Sequence, residues 1–504
     1  VASDLKVSVA SDLEASGTGT KKARLCSDGE RTPGGRPEAG SWRPLVPAIV
    51  LLIALGCASA PRAPTPSPGV ELNVGVAQVD ITPGEPIRLS GYGARVAPSE
   101  ASSQRLHAKA LAFGDDRQRP AVLITTDLVG VPRHMTEDVA KRLQKVGIER
   151  AYLAITATHT HTGPAVAGNL PYLFGAPIPP DQQAVIDRYS AELVNKLERV
   201  ARDALAARKP SRVAWGQGTA GFAANRRVLK DGKWTGFGIE PAGPVDRDLP
   251  MLTVRAPDGS LRAVLVSYAC HATTLEGKDN FVHGDWPGVA QELIQARHPG
   301  ANAMVTIGTG ADANPNPRGG GLPDVERHAR EVANEVDRLL TTTLRPVTMA
   351  PVGRFRSLEL AFSRIPDRAE WEERAKRKDA NGSYARSVLE RMERGETIPD
   401  TVAYPVQVWT FGGDLTMVFL GGEVVADYGL RLKRELDASR LWVNAYSNDV
   451  AFYVASRRMI PEGGYEVSQS MVYYGQPAPL AEGTEEQIIS AVKELMSGGQ
   501  SPFP

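Results

Sequence analysis

Cysteine, net charge and long apolar runs are scarce in this sequence of 504 residues, and each scarcity excludes a class of protein. Of the three cysteines, only Cys270 lies in the part of the chain with globular composition, so no intrachain disulfide can hold that part together. Lysine plus arginine equals aspartate plus glutamate at 58 each, so no net field favours nucleic acid or an anionic membrane surface. We therefore expect a large globular protein that does not bind nucleic acid.

The N-terminal segment departs from globular composition. Residues 1–40 are rich in Gly, Ser, Arg and Pro and contain no methionine, which is typical of a disordered leader or of upstream sequence read from an early start. The apolar run that follows, within SWRPLVPAIVLLIALGCASAP, is too short to span a bilayer as a helix. It suits the hydrophobic core of a secretory signal.

The segment IALGCAS within this run is similar to a bacterial lipoprotein signal, in which Cys57 would be lipidated and become the mature N-terminus. An ordinary signal peptide cleaved near ASA is the alternative. Both interpretations predict export, either to the cell envelope with peripheral membrane contact through Cys57 or as a secreted protein. We accordingly divide the chain into a leader with its signal (1–57), a Pro-rich tether (58–70) and one folded domain (71–498).

Strand and helix patterns alternate through the predicted domain. ELNVGVAQVDIT and PAVLITTDLVGV are typical of strands, HMTEDVAKRLQKVG has helical spacing, and AYLAITATH is strand-like again. A strand, a helix and a strand in succession imply a parallel pair with a crossover. The pattern predicts an α/β fold with a mixed sheet flanked by helices in a single large domain. The charged stretch 367–396 is predicted to form a solvated surface helix.

Two of the eight histidines lie one residue apart in TATHTHTGP, where an apolar strand ends. Residues two apart on an extended chain point the same way, so His159 and His161 can face one pocket at the end of the sheet. His271 closes a second apolar strand and Glu423 closes a third. Imidazole nitrogen and carboxylate oxygen are ligands that Zn²⁺ prefers, and such a set leaves a position open for water. Structural histidines, with a glutamate paired to a helix dipole, are the alternative interpretation.

Several segments, taken in order, resemble the neutral, non-lysosomal ceramidases. ATHTHTGP is similar to that family's histidine motif, VGVAQVDITPGEP with SGYG to its opening strand and loop, and AANRRV to its Asn-Arg motif. CHATTL and HGDWPG are similar to its second histidine segment, FLGGE to its glutamate segment, and SNDVAFYVASRRMIPEGGY to its tyrosine segment. The resemblance covers roughly residues 73–497.

The resemblance implies a zinc site with four protein ligands, which are His159, His271, Glu423 and Tyr453. Zinc-activated water would then hydrolyse an amide bond. His161 would carry protons between that water and the departing nitrogen, Tyr465 would donate to the developing oxyanion, and Arg226 would hold the substrate or the product carboxylate. Asp127, at the end of LITTD, would orient a ligand histidine or else only cap its strand.

Two departures from the family pattern concern the substrate. The family carries a serine in a Gly-Asp-Xaa-Ser-Pro-Asn loop, whereas this chain has GADANPNP with Asn314 at the serine's place. An asparagine amide donates and accepts hydrogen bonds but cannot perform a hydroxyl's proton chemistry. We also expect the chain to lack the carboxy-terminal β-sandwich domain of the long ceramidases.

We therefore expect an exported zinc hydrolase that cleaves an amide bond, with a ceramide or a related N-acyl lipid as substrate. The apolar loop GNLPYLFGAPIPPDQ, residues 168–182, either lines a pocket for an acyl chain or packs as a surface loop. Two other functions stay open. One is a metal-dependent hydrolase of an ester or a small amide, and the other is a non-catalytic cell-envelope lipoprotein that uses the fold for binding.

Overall fold

The computed structural model of the protein describes residues 70–117 and 119–498, all of which belong to one compact unit. The predicted leader and signal (1–57), including Cys57, and the tether up to residue 69 lie outside the described residues. No helix in the described ranges combines the length and the apolarity that a membrane crossing requires.

The strands of the described residues are numbered here in chain order. They are β1 (Leu72–Asp80), β2 (Ala101–Ser102), β3 (His107–Phe113), β4 (Ala121–Thr126), β5 (Leu153–Ala157), β6 (Lys209–Thr219), β7 (Ala223–Asn225), β8 (Arg227–Lys230), β9 (Lys233–Phe237), β10 (Asp248–Arg255), β11 (Leu261–Tyr268), β12 (Phe281–Val282), β13 (Asn302–Ile307), β14 (Ala313–Pro315), β15 (Arg345–Val347), β16 (Val352–Ala361), β17 (Thr401–Phe411), β18 (Leu415–Leu420), β19 (Glu423–Val424), β20 (Leu441–Asn444) and β21 (Tyr453–Val454).

The helices are numbered in the same way. They are α1 (Arg133–Gln144), α2 (Pro180–Ala206), α3 (Asp285–Arg297), α4 (Leu322–Leu340), α5 (Arg368–Ala375), α6 (Ala380–Glu393), α7 (Ala426–Glu435) and α8 (Thr484–Met496). One-turn helices also form at Arg150–Tyr152, Ala438–Arg440, Arg457–Met459, Tyr465–Gln469 and Met471–Tyr474.

The largest sheet is mixed. Its strand order is β13-β11-β10-β6-β1-β3-β4-β5, with β15 also paired to β6. The pairs β4–β5 and β11–β13 are parallel, and the crossovers that connect them contain α1 and α3. The other pairs in this sheet are antiparallel. The prediction of an α/β fold with a mixed sheet and a crossover after PAVLITTDLVGV is confirmed.

Alternate residues of the central strands enter two different hydrophobic cores. On β11, Val264 and Val266 belong to the core that contains residues of α3 and α4. Their neighbours Ala263 and Leu265 belong to the core that contains residues of α2. A strand that is apolar on both faces must be covered on both faces, so the sheet lies between helices.

A second sheet, in the order β16-β17-β18-β20, packs beside the first. The Gln407 side chain on β17 donates to the carbonyl oxygens of Ala151 and Leu153, and the Asn448 backbone donates to Ile155 of β5 at 2.7 Å. These bonds satisfy backbone groups at the free edge of β5, which an uncovered edge strand would leave unpaired. The loops that follow β5, β18 and β20 are thereby brought to the same end of the molecule.

The charged stretch 367–396 forms two helices, so the prediction of a single solvated helix is wrong. Asp379 accepts from the Gly382 backbone N–H and begins α6, which interrupts the helical pattern. Trp371 and Tyr384 are buried between the two helices and Val472. The charges lie on the outer faces of the two helices, and the two aromatic rings form their inner face. Charged residues are so abundant in this stretch that the sequence pattern does not indicate this inner face.

Lys109, in the middle of β3, is a buried charge. Its side chain is 3% exposed, and its Nζ donates to the Ala303 carbonyl oxygen at 2.7 Å and to Gln295 Oε1 at 3.0 Å. Burial lowers the pKa of Lys109 from 10.5 to about 8, because removal from water penalises the ammonium more than the neutral amine.

Replacing this lysine, Lys109→Met, should therefore change how stability depends on pH. Below pH 8 both the folded and the unfolded wild type carry the proton, and the cost of burying the charge is complete. As the pH rises from 8 towards 10.5, the folded state releases the proton first, and the wild type gains up to about 3 kcal/mol in free energy of unfolding. Urea unfolding across this range should show that the free energy of unfolding rises in the wild type relative to Lys109→Met. The exposed Lys141→Met is the charge-matched control. Parallel pH profiles for the wild type and Lys109→Met would contradict the burial argument.

Candidate metal centre

His159 and His161 converge just beyond the end of β5. Their Nε2 atoms lie 3.1 Å apart, and their ring centroids lie 4.8 Å apart. The chain is not extended here, because β5 ends at Ala157 and His159 has φ +57°, in the left-handed region that non-glycine residues rarely occupy. A tight turn therefore aims the two imidazoles at one place, and the predicted convergence has a different cause from the one the sequence suggested.

The loop SGYG also lies against His161. Gly91 has φ +95°, and a Cβ at this position would come within 2.5 Å of the His161 ring. The Tyr92 ring packs edge-on against the same imidazole at 5.1 Å between centroids. The loop therefore fixes the position of the His161 ring, and only glycine leaves room for it.

His271 and Glu423 complete the cluster. His159 Nε2 lies 3.0 Å from Glu423 Oε2, and His271 Nε2 lies 3.1 Å from the same oxygen. All three side chains are buried, and Glu423 is only 2% exposed. Residues from the ends of β5 and β11 and from the start of β19 thus meet at one carboxylate oxygen.

The tautomers of the two inner histidines follow from their other ring nitrogens. His159 Nδ1 lies 2.6 Å from the Val129 carbonyl oxygen, and His271 Nδ1 lies 3.1 Å from the Gly310 carbonyl oxygen. A carbonyl oxygen only accepts, so each Nδ1 carries the hydrogen and each Nε2 presents a lone pair. Both lone pairs face Glu423 Oε2, which is buried and accepts no hydrogen bond.

This arrangement fits a divalent metal. Two nitrogen lone pairs and a carboxylate oxygen repel one another in a dry site unless a cation lies between them. The nitrogens of all three histidines lie within 4.8 Å of one another, so His161 also comes within reach of the same ion. The buried donor set of imidazoles and a carboxylate can hold a metal.

The titration behaviour of the cluster agrees with this chemistry. Burial lowers the pKa of His271 to about 3 and the pKa of His161 well below its usual value. Burial raises the pKa of Glu423, but the neighbouring His159 and His271 outweigh it and hold that pKa well below its usual value. Neutral imidazoles at His161 and His271 and an ionised Glu423 carboxylate are therefore favoured, and these are the forms that bind metal.

Tyr453 reaches the cluster through a short parallel pairing. β19 and β21 pair with Glu423 opposite Tyr453, and the Tyr453 hydroxyl lies 3.3 Å from His271 Nε2. The four residues predicted as ligands from the family resemblance, His159, His271, Glu423 and Tyr453, are therefore brought together. Their assignment as ligands stays a prediction.

Arg226 is buried next to these residues and contacts several of them through its guanidinium. Its Nε donates to Glu466 Oε1 at 2.9 Å, and its Nη2 donates to the Tyr453 hydroxyl at 3.1 Å. Its Nη1 lies 3.2 Å from both His271 Nε2 and Asn314 Oδ1. Four of its N–H groups thus face protein acceptors. This leaves little of the guanidinium for the substrate or the product carboxylate, which were its predicted partners.

Tyr465 and Asn314 lie beside Arg226. The Tyr465 ring lies 5.4 Å from the Tyr453 ring, and its hydroxyl forms no hydrogen bond within the described part of the chain. Asn314 lies on β14, which pairs with β7 just before Arg226. Tyr465 and Asn314 therefore both lie beside Arg226, and their catalytic roles stay a prediction.

Asp127 does not orient a ligand histidine, so that prediction is wrong. Its Oδ2 accepts from the His107 backbone N–H at 2.9 Å, and its Oδ1 accepts from the Gln291 side chain at 3.0 Å. The backbone carbonyls of Val129 and Gly310 orient the His159 and His271 rings instead. Every residue has a carbonyl, so no side-chain pattern in the sequence could have indicated these two.

Three further residues of the site were missed by the sequence reasoning. The Tyr474 hydroxyl donates to Glu423 Oε1. The Tyr446 ring packs on His159 at 4.3 Å between centroids, and Glu466 pairs with both Arg226 and Arg227. The tyrosine segment indicated this region of the chain. Spacing in the sequence cannot tell, however, which of Tyr446, Tyr453 and Tyr474 contacts which residue of the cluster.

The fold and the cluster define a class of protein: an α/β protein with a metal-hydrolase type of donor set where its strands end. Residues 72–310 match the family model described as neutral/alkaline non-lysosomal ceramidase, N-terminal, so the predicted resemblance is confirmed over this segment. The matched segment contains His159, His161, Arg226 and His271. No curated protein matches the chain by sequence.

Solved structures of ceramidases share the fold. Neutral ceramidase from Pseudomonas aeruginosa is 17% identical, with a TM-score of 0.62 over 85% of this chain and 75% of that chain. A ceramidase complexed with C2 is 16% identical, with a TM-score of 0.63 over 86% of this chain and 77% of that chain.

The variant Tyr474→Phe should weaken metal binding. It removes the hydrogen bond that fixes Glu423 Oε1 and leaves the carboxylate free to turn, and loss of such a supporting bond typically costs about 10- to 100-fold in metal affinity. Titration with Zn²⁺ against a fluorescent chelator measures the change. Tyr473→Phe is the matched control, because within the described residues its hydroxyl does not contact Glu423. Equal affinities for the two variants would refute the supporting role of Tyr474.

Proposed function

We propose that the protein is a zinc-dependent amide hydrolase that cleaves the N-acyl bond of a ceramide or a related N-acyl lipid. The observation that carries the proposal is the meeting of two imidazole lone pairs at the buried, unbonded Oε2 of Glu423. The match to the ceramidase family indicates an amide hydrolase. The donor set and the family match therefore support the same reaction class.

Zinc suits this donor set better than the common hard cations. Ca²⁺ and Mg²⁺ take oxygen ligands, whereas this site offers imidazole nitrogen from His159 and His271 beside one carboxylate. Tyr453 is placed to add a phenolic oxygen, since its hydroxyl lies 3.3 Å from His271 Nε2. When bound there, zinc supplies Lewis acidity and lowers the pKa of a bound water.

His161 is the residue suited to moving protons. Its Nε2 lies 3.1 Å from His159 Nε2, so it lies beside the residues that would hold the metal, and its ring is held by Gly91 and Tyr92. A neutral imidazole at this place can accept the proton of the attacking water and return it to the leaving nitrogen. The free Tyr465 hydroxyl is placed to donate to the oxygen on which negative charge develops.

An N-acyl lipid as substrate is supported by a cavity next to the site. Leu170 and Pro171, from the predicted acyl-chain loop, line a cavity of about 430 Å³ together with Val450 and Ala451. Tyr474, whose hydroxyl donates to Glu423, forms part of the same wall. The lining also includes charged residues, among them Arg133, Glu137 and Asp449. The apolar part of this cavity, next to a residue bonded to Glu423, fits a chain attached to the scissile amide.

A different amide or an ester is the second candidate substrate. Asn314 replaces the family's serine and contacts Arg226 beside the metal ligands, so the part of the substrate that lies there differs in its hydrogen bonding. We further propose that the enzyme acts outside the cytoplasm, anchored through a lipidated Cys57 or released after cleavage of its signal.

The variants His159→Ala and His161→Ala should separate metal binding from proton transfer. His159→Ala should lose bound zinc and activity together, because it removes a ligand. His161→Ala should keep its zinc and lose activity by about 10²- to 10⁴-fold, because it removes the proton carrier. Elemental analysis and fatty acid release from a ceramide measure the two properties. His298→Ala, at a surface pair with Asp337, is the control.

The results for His161→Ala decide between two ligand sets. Retained zinc places His161 outside the ligand set, as proposed. Loss of zinc would make His161 a ligand and would overturn its role as proton carrier.

The substrate proposal is tested on the wild type with a panel of ceramides, N-acyl amino acids and simple esters. About one zinc per chain with ceramide turnover is expected. Zinc with turnover of another panel member alone would exclude ceramide and leave the metal site in place. No zinc and no hydrolysis would overturn the proposed function.

A further inference from the structure

We infer that Asn314 contacts the substrate as a hydrogen-bond donor only, through its Nδ2 to an acceptor oxygen of the substrate. The inference rests on the proposed hydrolysis and deepens it. A serine hydroxyl both donates and accepts, so an asparagine held in one orientation changes what the pocket can recognise.

The orientation of the Asn314 carboxamide is set by Arg226. Asn314 Oδ1 lies 3.2 Å from Arg226 Nη1, and a guanidinium has donors but no acceptor. The opposite orientation would place the Asn314 NH₂ group against another N–H donor. The oxygen must therefore face Arg226, and the nitrogen must face away from it.

Arg226 cannot turn to relieve this constraint. Its Nε is bonded to Glu466, which is itself fully buried, and its Nη2 is bonded to Tyr453. The Thr273 hydroxyl adds a second donor to Asn314 Oδ1 at 3.3 Å. Two donors from two different elements thus use the acceptor side of the amide.

The donor side of Asn314 has no protein partner. Within residues 70–117 and 119–498, its Nδ2 forms no hydrogen bond, and it is not among the polar atoms sealed from solvent. Asn314 is 9% exposed, so this N–H pair opens into the pocket. A donor in a nearly closed pocket is costly to leave unpaired, and a substrate oxygen would satisfy it.

The position of Asn314 makes this oxygen part of the reacting region. Arg226 Nη1 contacts both Asn314 Oδ1 and His271 Nε2, so one guanidinium nitrogen separates the amide from a predicted metal ligand. Two oxygens of an N-acyl substrate could lie there, the acyl carbonyl oxygen or an oxygen on the amine half. Both are acceptors, and a cationic group at this place would be rejected.

The test replaces the Nδ2 donor of Asn314 with an acceptor and keeps the shape of the side chain. Asn314→Asp puts an acceptor oxygen where Nδ2 lies, and we expect a loss of about 10²- to 10³-fold in kcat/KM, as for loss of a donor to a developing oxyanion. Asn314→Ala should lose less, because it removes the donor without adding repulsion. Asn314→Ser should recover part of that loss, since a hydroxyl can donate.

Each variant is assayed with bound zinc and thermal melting measured beside kcat and KM. If Asn314→Asp does not fold, the order wild type, Asn314→Ser, Asn314→Ala carries the same test. An Asn314→Asp or Asn314→Ala enzyme that keeps wild-type kcat/KM would overturn the inference. A zinc-loaded wild type that hydrolyses nothing would instead overturn the proposed function, so the two failures are distinguishable.

A panel with different amine halves identifies the oxygen. A loss of the same size on every substrate assigns the contact to the acyl oxygen, which all of them share. A loss that disappears when the amine half has no oxygen assigns the contact to that half. Thr273→Val should show the same pattern more weakly, because it removes only the second donor that holds the amide.

Discussion

The contact of Glu423 Oε2 with the Nε2 atoms of His159 and His271 is the interaction on which the rest of the site depends. Three electron-rich atoms meet in a buried place, which is unfavourable unless a cation is shared among them. Several local features of the backbone produce this contact, including the left-handed backbone at His159 and a short parallel pairing that places Tyr453 opposite Glu423. Such features are expected where geometry serves a metal.

A buried ion network supports the cluster from one side. Glu466 accepts from both Arg226 and Arg227, and all three side chains are almost fully buried. Removing either arginine would leave buried charge without a full set of partners, which is strongly destabilising. The network therefore fixes the Arg226 guanidinium, and through it the orientation of Asn314 and of the Tyr453 hydroxyl. The positions of groups that would contact substrate thus depend on a carboxylate that the sequence reasoning did not single out.

Sequence patterns succeeded where a single element carries the signal. The strands β4 and β5 with α1 between them were readable because apolar runs and helical spacing are local properties. The stretch 367–396 was misread because its many charges mask two buried aromatic rings, and only packing against Val472 gives Trp371 and Tyr384 an inner face. Asp127 was misread because its partners, His107 and Gln291, are distant in sequence and carry no motif.

The sequence by itself determined the α/β class, the strand ends at which the functional residues lie and, through its ordered motifs, the family resemblance. Tertiary structure alone decided that His159 and His271 share one oxygen of Glu423, which of their ring nitrogens face it, and which side of the Asn314 amide is free. The reason is physical. Local patterns report the burial and periodicity of one element, whereas tautomers and hydrogen-bond orientations are set by partners that only the folded chain brings within 3 Å or so.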